Sequence, residues 1–310
     1  MKIRYYILIS LLVCLVLSSC NRDVDPEAKR SQDERKTIEC CMDESLSRVM
    51  DKPLAMFDSL FKNFDLKIER TNAFDAMAKL FAQKAEVIII GRDYSKEEDS
   101  LMKAHLMEPY LKMVSARDAL CFYSVPEFPL DTLTDEQIKE VMTGAKYLKD
   151  YYPKLKDEPT IVIPNNLSSE YLNFRYLVLD GEKVVNKKDW KTLNYLETAD
   201  SVSKFVLENK NSIGIGFFSN IVKDPRYKPL AVSYIDSTGN YVFPHVVHQA
   251  NILQQLYPYT LELNIFISDQ DDKASLALGR FLSKSSKSQN YFNDFGIVPR
   301  YADIKLIDER

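Results

Sequence analysis

Side chains able to bind a ligand occur at three points where a predicted strand passes into a predicted helix. The third of these junctions follows the apolar run Thr160–Ile163 and is built from small hydroxyl and amide side chains. In open α/β sheets, ligands bind outside the carboxyl ends of strands, close to helix N-termini. A ligand site is therefore expected where the three junctions meet, at Asp43–Leu46, Gly91–Asp93 and Asn165–Glu170.

The elements that must position these junctions alternate between strand and helix. A strand is predicted over Thr37–Met42 and another over Ala119–Val125. The β-branched run Val87–Ile90 is typical of a parallel strand that is buried on both faces. The alternation and the short connections predict an α/β chain that divides near residues 115–124 and crosses back after Tyr241.

Helix boundaries are predicted from capping residues and proline. A short helix opens at Asp43–Leu46, and Pro53 suits the first position of a second helix. A helix is also expected over Tyr171–Leu179. Two capping boxes predict further helix starts, Ser95 with Glu98 and Thr134 with Gln137.

The N-terminus has the pattern of a secretion signal. Two basic residues precede the apolar run Ile7–Leu17, which is too short to span a bilayer comfortably. The segment ends in Leu-Ser-Ser-Cys and resembles a bacterial lipoprotein signal, in which Cys20 becomes the lipid-modified N-terminus. An ordinary signal peptide or a short anchor helix is the alternative. Residues 21–36 are dense in charge of both signs and predict a flexible linker.

Composition and cysteine content exclude several classes of protein. The chain carries 41 Lys and Arg against 45 Asp and Glu, a formal charge of −4, so it lacks the basic excess of a nucleic-acid binder. Cys40 and Cys41 are adjacent on a strand and point to opposite faces. Either could pair with Cys121, but buried free thiols are the prediction.

Enzyme and metal chemistry find little support in the sequence. His245 and His248 are three residues apart without a visible third ligand, so two surface or hinge histidines are preferred over a metal pair. Ser168 lacks a recognisable His–acid pattern, which argues against a hydrolase. We expect no catalytic residue, no metal and no cofactor.

Six segments, in this order, resemble the phosphate-binding proteins of ABC transporters, which have the type-2 periplasmic binding fold. The likeness is closest to lipoprotein relatives from Bacteroidetes-like bacteria and covers nearly all of residues 37–299. Each motif is weak alone, and the ordered set is specific for the fold. The segments are TIECCMDESL (37–46), AEVIIIGRDYSKEED (85–99), LTDEQIKEVMTG (133–144), NNLSSEYLNF (165–174), NKNSIGIGFFSN (209–220) and GRFLSKSSKSQNYFNDFGIVP (279–299).

The resemblance implies a bilobal α/β fold, with two mixed sheets flanked by helices and a ligand cleft between the lobes. It places a signal peptide at 1–20, a linker at 21–36, lobe I at 37–120 plus 250–310, and lobe II at 121–249. The lobes would close on an anion like a hinge. The residues it places at the ligand are Glu44, Ser45, Leu46, Arg92, Asn166, Ser168, Ser169 and Glu170.

The ligand loop departs from the family pattern. The family has Gly then Thr where this chain has Ser169 then Glu170, and the preceding Arg is replaced by Pro164 and Asn165. An ionised carboxylate facing a dianion costs about 4 kcal/mol per charge pair at about 4 Å and a dielectric near 20. Glu170 could instead accept a proton-bearing ligand oxygen, or simply compensate the helix dipole. Arg92 could contact the ligand or form an ion pair with Asp93 or Glu97.

Two functions follow from the resemblance. The first is a monomeric, lipid-anchored solute-binding protein of the cell envelope, which captures a small oxyanion, phosphate first, for an ABC-type membrane permease. The second is a non-enzymatic envelope sensor or partner-binding protein that has lost or changed its ligand. The membrane would be reached through the lipid anchor alone. Asn21, in place of the Asp that signals inner-membrane retention, favours the outer membrane.

Overall fold

A computed structural model describes residues 35–187 and 191–301. The strands are β1 Lys36–Asp43, β2 Phe64–Thr71, β3 Val87–Ile90, β4 Leu111–Ser124, β5 Thr132–Thr134, β6 Thr160–Pro164, β7 Asn194–Leu196, β8 Ser212–Phe217, β9 Lys228–Pro229, β10 Ala231–Ile235, β11 Tyr241–His245, β12 Thr260–Ile267 and β13 Val298–Pro299. The helices are α1 Ser47–Leu60, α2 Ala73–Phe81, α3 Lys96–Ala104, α4 Asp135–Met142, α5 Leu148–Tyr151, α6 Ser169–Asn173, α7 Ala199–Glu208, α8 Gln249–Leu253, α9 Lys273–Lys284 and α10 Ser286–Phe295.

One long strand, β4, connects the two halves of the main sheet. The strands lie in the order β2-β1-β3-β12-β4-β8-β6-β7, with β9 and β13 also paired to β4. Up to Ala119, β4 pairs with β12, and from Leu120 onward it pairs with β8. We call β1, β2, β3 and β12 the first half-sheet and β6, β7 and β8 the second half-sheet. A smaller sheet has the order β11-β10-β5.

The main sheet combines parallel and antiparallel pairs on both sides of β4, as the fold-class prediction requires. β1 pairs in parallel with β3, and β3 pairs antiparallel with β12. In the other half β6 and β8 are parallel, and β8 is antiparallel to β4. The α/β class with mixed sheets and flanking helices is therefore confirmed, and the two expected sheets are continuous through β4.

Apolar runs determine which strands are central. All four residues of β3 are buried, because helices or strands cover both of its faces. On β1, Cys40 belongs to the larger core cluster and Cys41 to a smaller cluster behind the sheet. The opposite orientation of the two thiols follows from strand alternation. Cys40, Cys41 and Cys121 are buried and free, as predicted.

The predicted short helix at Asp43–Leu46 is present as a 3₁₀ helix, Glu44–Leu46, which Asp43 caps. The prediction that Pro53 begins the second helix was wrong, because α1 begins at Ser47 and contains Pro53 in its interior. An interior proline removes one backbone hydrogen bond. The helix continues because Val49, Leu54 and Phe57 form an apolar face that is fully buried in the core.

Capping residues were better guides. Both capping boxes are present, at the starts of α3 and α4. The helix expected over Tyr171–Leu179 begins earlier, because Ser168 caps it and α6 starts at Ser169. After Asn173 the backbone widens into a π-helical turn, Phe174–Val178, so the prediction of one regular helix was wrong in its second half. Within residues 35–187 and 191–301, no helix combines the length and apolar character needed to cross a membrane.

Candidate functional site

The three strand-to-helix junctions meet at one place. The Glu44–Leu46 turn follows β1 and Gly91 follows β3, both in the first half-sheet, whereas the loop before α6 follows β6 of the second half-sheet. The Gly91 N–H donates to Ser169 Oγ at 3.1 Å, and the Asn173 side chain donates to the Gly91 carbonyl at 2.7 Å. The Ser45 hydroxyl lies 2.9 Å from Glu170 Oε2. Segments distant in sequence therefore form one polar cluster.

A buried unit of two carboxyl groups and one hydroxyl lies at the centre of this cluster. Ser45 Oγ is 2.6 Å from Asp43 Oδ1 and 2.9 Å from Glu170 Oε2, and both carboxyl side chains have no exposure to solvent. The Ser45 hydroxyl has a single hydrogen. If that hydrogen is donated to Asp43, the contact with Glu170 requires a proton on the Glu170 carboxyl. Glu170 Oε1 has no hydrogen-bond partner among the described residues.

The electrostatics of the cluster agree with a protonated Glu170. Burial raises the pKa of Glu170 well above its usual value, and the neighbouring Asp43 raises this pKa further. Burial also raises the pKa of Asp43, while hydrogen bonds from the Ser169 side chain and from Ser45 oppose that rise. The repulsion expected from sequence assumed an ionised Glu170. A neutral carboxyl group does not repel an anion in that way.

Arg92 is held in a buried ion pair. Its guanidinium donates to both carboxylate oxygens of Glu98 at 2.7 Å and to the Ala73 carbonyl at 3.3 Å, and its side chain is 4% exposed. The expected partners were Asp93 and Glu97. Glu98 is the partner because it is the third residue of α3, where the capping box turns its side chain back towards the strand end. Of Asp93, only the backbone carbonyl accepts from Arg92, at 2.9 Å.

The other predicted ligand residues have different environments. Ser168 is buried and caps α6 by accepting from the Tyr171 N–H at 3.1 Å. The Leu46 side chain is fully buried in the core. Asn166 is exposed, and the neighbouring Asn165 makes the hydrogen bonds that shape the loop. Of the predicted ligand residues, Ser45 and Glu170 thus contact each other, Ser169 contacts Gly91, and Arg92 is paired with Glu98.

Sequence reasoning placed Asp43 and Gly91 within the expected junctions but did not name either among the ligand residues. Asp43 is the last residue of β1 and therefore lies at the first junction. A side chain at Gly91 would force the Phe217 ring to move, because an added Cβ would lie 2.6 Å from that ring. A glycine that directly follows a buried strand was the available signal for this close approach.

A cavity of about 420 Å³ lies beside the cluster and shares Ser45 with it. Such a volume is within the usual range for small-molecule sites. Arg48 lines it and donates to the Asn220 carbonyl, while its guanidinium forms no ion pair with a carboxylate of the described chain. The Asn220 side-chain nitrogen is buried without a partner. Burial, Asp43 and Asp200 raise the pKa of Glu44, which also lines the cavity, to about 7.

The described residues contain no group of three or more His, Cys, Asp or Glu side chains arranged to hold a metal ion. His245 and His248 are among these described residues, and they belong to no such group. The N-terminal prediction of lipidation at Cys20 lies outside the described residues.

Comparison with known proteins gives information on the fold. No protein-family description and no curated protein matches this chain. A structure from Clostridium perfringens, described as a phosphate ABC transporter substrate-binding protein with bound phosphate, is similar with a TM-score of 0.69 and 16% identity, over 85% of this chain and 99% of that one. An ABC-type phosphate transport receptor from Vibrio cholerae aligns with a TM-score of 0.62 and 16% identity, over 84% and 99% of the two chains.

A regulatory domain shares the same architecture. The CcmR regulatory domain from Synechocystis, solved in complex with 2-PG, aligns with a TM-score of 0.55 and 8% identity, over 82% of this chain and 98% of that domain. These low identities show fold and do not show ligand or partner. The chain has the bilobal α/β fold of the periplasmic phosphate substrate-binding proteins, as the motif order predicted.

Proposed function

We propose that the protein is a solute-binding protein of the cell envelope that captures a small oxyanion, phosphate first, and passes it to an ABC-type permease. One observation carries the proposal. Where the junctions meet, Glu170 Oε1 is fully buried and lacks a hydrogen-bond partner within the described chain. Buried polar atoms are nearly always satisfied, so this acceptor calls for a donor from water or from a solute. Hydrogen phosphate offers such a donor in its hydroxyl group.

The adjoining cavity supplies donors for the remaining oxygens of such an anion. Arg48 brings a guanidinium that is not neutralised by a carboxylate within salt-bridge distance, and Asn220 brings an unpartnered amide nitrogen. Guanidinium groups suit phosphate because their N–H groups match two oxygens at once. Arg48 is therefore the arginine assigned to the anion here, and Arg92 is assigned to holding the strand end through Glu98.

The remaining assignments follow from the same proposal. Residues 37–120 plus 250–310 are proposed as lobe I and residues 121–249 as lobe II, with the pairing change in β4 supporting a boundary near Leu120. Residues 1–20 are proposed as a lipoprotein signal and 21–36 as a linker. Lipid attachment through Cys20, placement at the outer membrane and a monomeric state complete the proposal. Metabolic labelling with a fatty acid, lost on Cys20→Ser, tests the anchor.

Titration calorimetry of the chain from Asn21 onward with phosphate tests anion capture. We expect saturable binding that Arg48→Ala weakens by at least tenfold. Lys103→Ala removes the same charge from an exposed position on α3 and should leave the affinity unchanged. Sulfate, which has no hydrogen to donate at neutral pH, should bind more weakly than phosphate. No heat with phosphate from a folded sample would reject the assignment.

A sensor or partner-binding role is the second candidate, and one observation favours it. Ser45 contacts Glu170 and Gly91 contacts Ser169 directly, so the loops that would close on a solute already contact each other. A protein of this kind would bind an envelope partner without regard to phosphate. Pull-down from envelope extracts, repeated with saturating phosphate, separates the two roles, because a partner bound equally under both conditions supports the second.

A further inference from the structure

Five hydrogen bonds connect the loop and helix after β6 to residues at or just after the C-terminal ends of β1, β2 and β3. Two of them join Gly91 to Ser169 and to Asn173, and a third joins the Phe74 N–H to the Leu167 carbonyl at 3.1 Å. None of these three has an ionisable partner. The fourth is donated by the Ser169 side chain to Asp43. The fifth joins Ser45 to Glu170, and its geometry depends on a proton on Glu170.

We propose that Asp43, Ser45 and Glu170 form a proton-dependent latch, in which one proton on Glu170 holds the loop before α6 against the turn after β1. In this arrangement the Glu170 hydroxyl donates to Ser45 Oγ, and the Ser45 hydroxyl donates to Asp43 Oδ1. The Ser45 N–H, 3.2 Å from the same Asp43 oxygen, adds to the charge stabilisation of Asp43. The Glu170 and Ser45 hydroxyl hydrogens then have one acceptor each, and the Asp43 carboxylate is the final acceptor in this series of hydrogen bonds.

Loss of the proton makes this arrangement unfavourable. Two carboxylates would then be ionised side by side in a buried site and would compete for the single hydrogen of the Ser45 hydroxyl. The charged groups acting on the pair are Glu44 and Arg92, and Tyr123 is the other titratable neighbour. Glu44 would add repulsion. Arg92 cannot turn to Glu170, because both of its guanidinium ends are bound to Glu98. If the loops separate, water reaches Glu170 and lowers the free-energy cost of its negative charge.

The latch would regulate the solute site proposed above, and to that extent it rests on the proposed function. Its protonated form keeps the two loops together without a solute. Its ionised form opens the site. The latch thus predicts that the site is closed in acid and accessible in alkaline solution. Its test requires no ligand, so failure of phosphate binding and failure of the latch are distinguishable.

Small-angle scattering of the ligand-free chain from Asn21 onward, from about pH 5 to about pH 9, measures opening. The wild-type radius of gyration should increase as the pH rises. Glu170→Gln should stay compact throughout, because the Gln amide donates to Ser45 as the protonated carboxyl does. Asp118→Asn is the matched control, since burial raises the pKa of Asp118 on β4 to about 6. This variant should keep the wild-type response.

Infrared difference spectra at neutral pH detect the proton directly. We expect a protonated-carboxyl band in wild type that is missing in Glu170→Gln and retained in Asp118→Asn. A radius independent of pH in wild type would overturn the latch, as would an opening that Glu170→Gln does not prevent. An identical carboxyl band in wild type and Glu170→Gln would overturn the assignment of the proton to Glu170.

Discussion

The substitution Glu170→Gln isolates the free energy of holding a buried, protonated carboxyl group. Glu170 is fully buried, and its Oε2 lies 2.9 Å from Ser45 Oγ. Glutamine has nearly the same shape and can donate to the same oxygen, but it does not titrate. The variant therefore keeps the packing and removes the pH-dependent part of the contribution of Glu170 to stability.

The sign follows from where the proton is bound. The pKa of Glu170 is raised in the folded chain, whereas an unfolded glutamate titrates near pH 4.3. Below that pH the folded and unfolded states both carry the proton, so ionisation of Glu170 does not change the free energy of unfolding. As the pH rises, the unfolded chain releases its proton while the folded chain retains it, so the wild type loses about 1.4 kcal/mol per pH unit up to the folded pKa. Asp43 titrates in both proteins, and its contribution largely cancels in the comparison.

Urea unfolding of wild type and Glu170→Gln across a pH series measures the difference. The two free energies of unfolding should be similar near pH 4, and the variant should become progressively more stable above that pH. Glu97→Gln, at an exposed position in the first turn of α3, should run parallel to wild type. A constant difference between wild type and Glu170→Gln at every pH would refute the reasoning, because it would mean that Glu170 ionises alike in both states.

Three further perturbations test the supporting structure. Arg92→Ala leaves Glu98 as a buried charge without its ion-pair partner and should lower the free energy of unfolding by about 3–5 kcal/mol in urea denaturation. Arg92→Lys keeps the positive charge and should lose less of the free energy of unfolding. Gly91→Ala forces the Phe217 ring to move and should cost about 1–3 kcal/mol by the same assay, and an unchanged midpoint would contradict the close approach. The free thiols should react with a thiol reagent only after unfolding, since burial raises the pKa of Cys41 to about 11 and that of Cys40 still further, so rapid labelling of the folded chain would contradict their burial.

Local signals in the sequence were sufficient for several elements. Val87–Ile90 is a buried strand because a continuous β-branched run has no polar face to expose. The capping box of Ser95 and Glu98 starts α3 because its two hydrogen bonds join residues three apart. Pro53 was a misleading signal for a helix start. Proline in a helix interior costs about 3 kcal/mol, and burial of the apolar face of α1 outweighs that local cost.

The site depended on contacts that no local pattern contains. The sequence by itself determined which junctions carry oxygens and amides, and it determined the α/β class. Tertiary structure alone decided that Ser45 meets Glu170, 125 residues away, and that Glu98 rather than Asp93 or Glu97 neutralises Arg92. The same tertiary contacts determine whether Glu170 is ionised. Ionisation depends on desolvation and on neighbouring charges, and both are set by segments that meet only when the chain has folded.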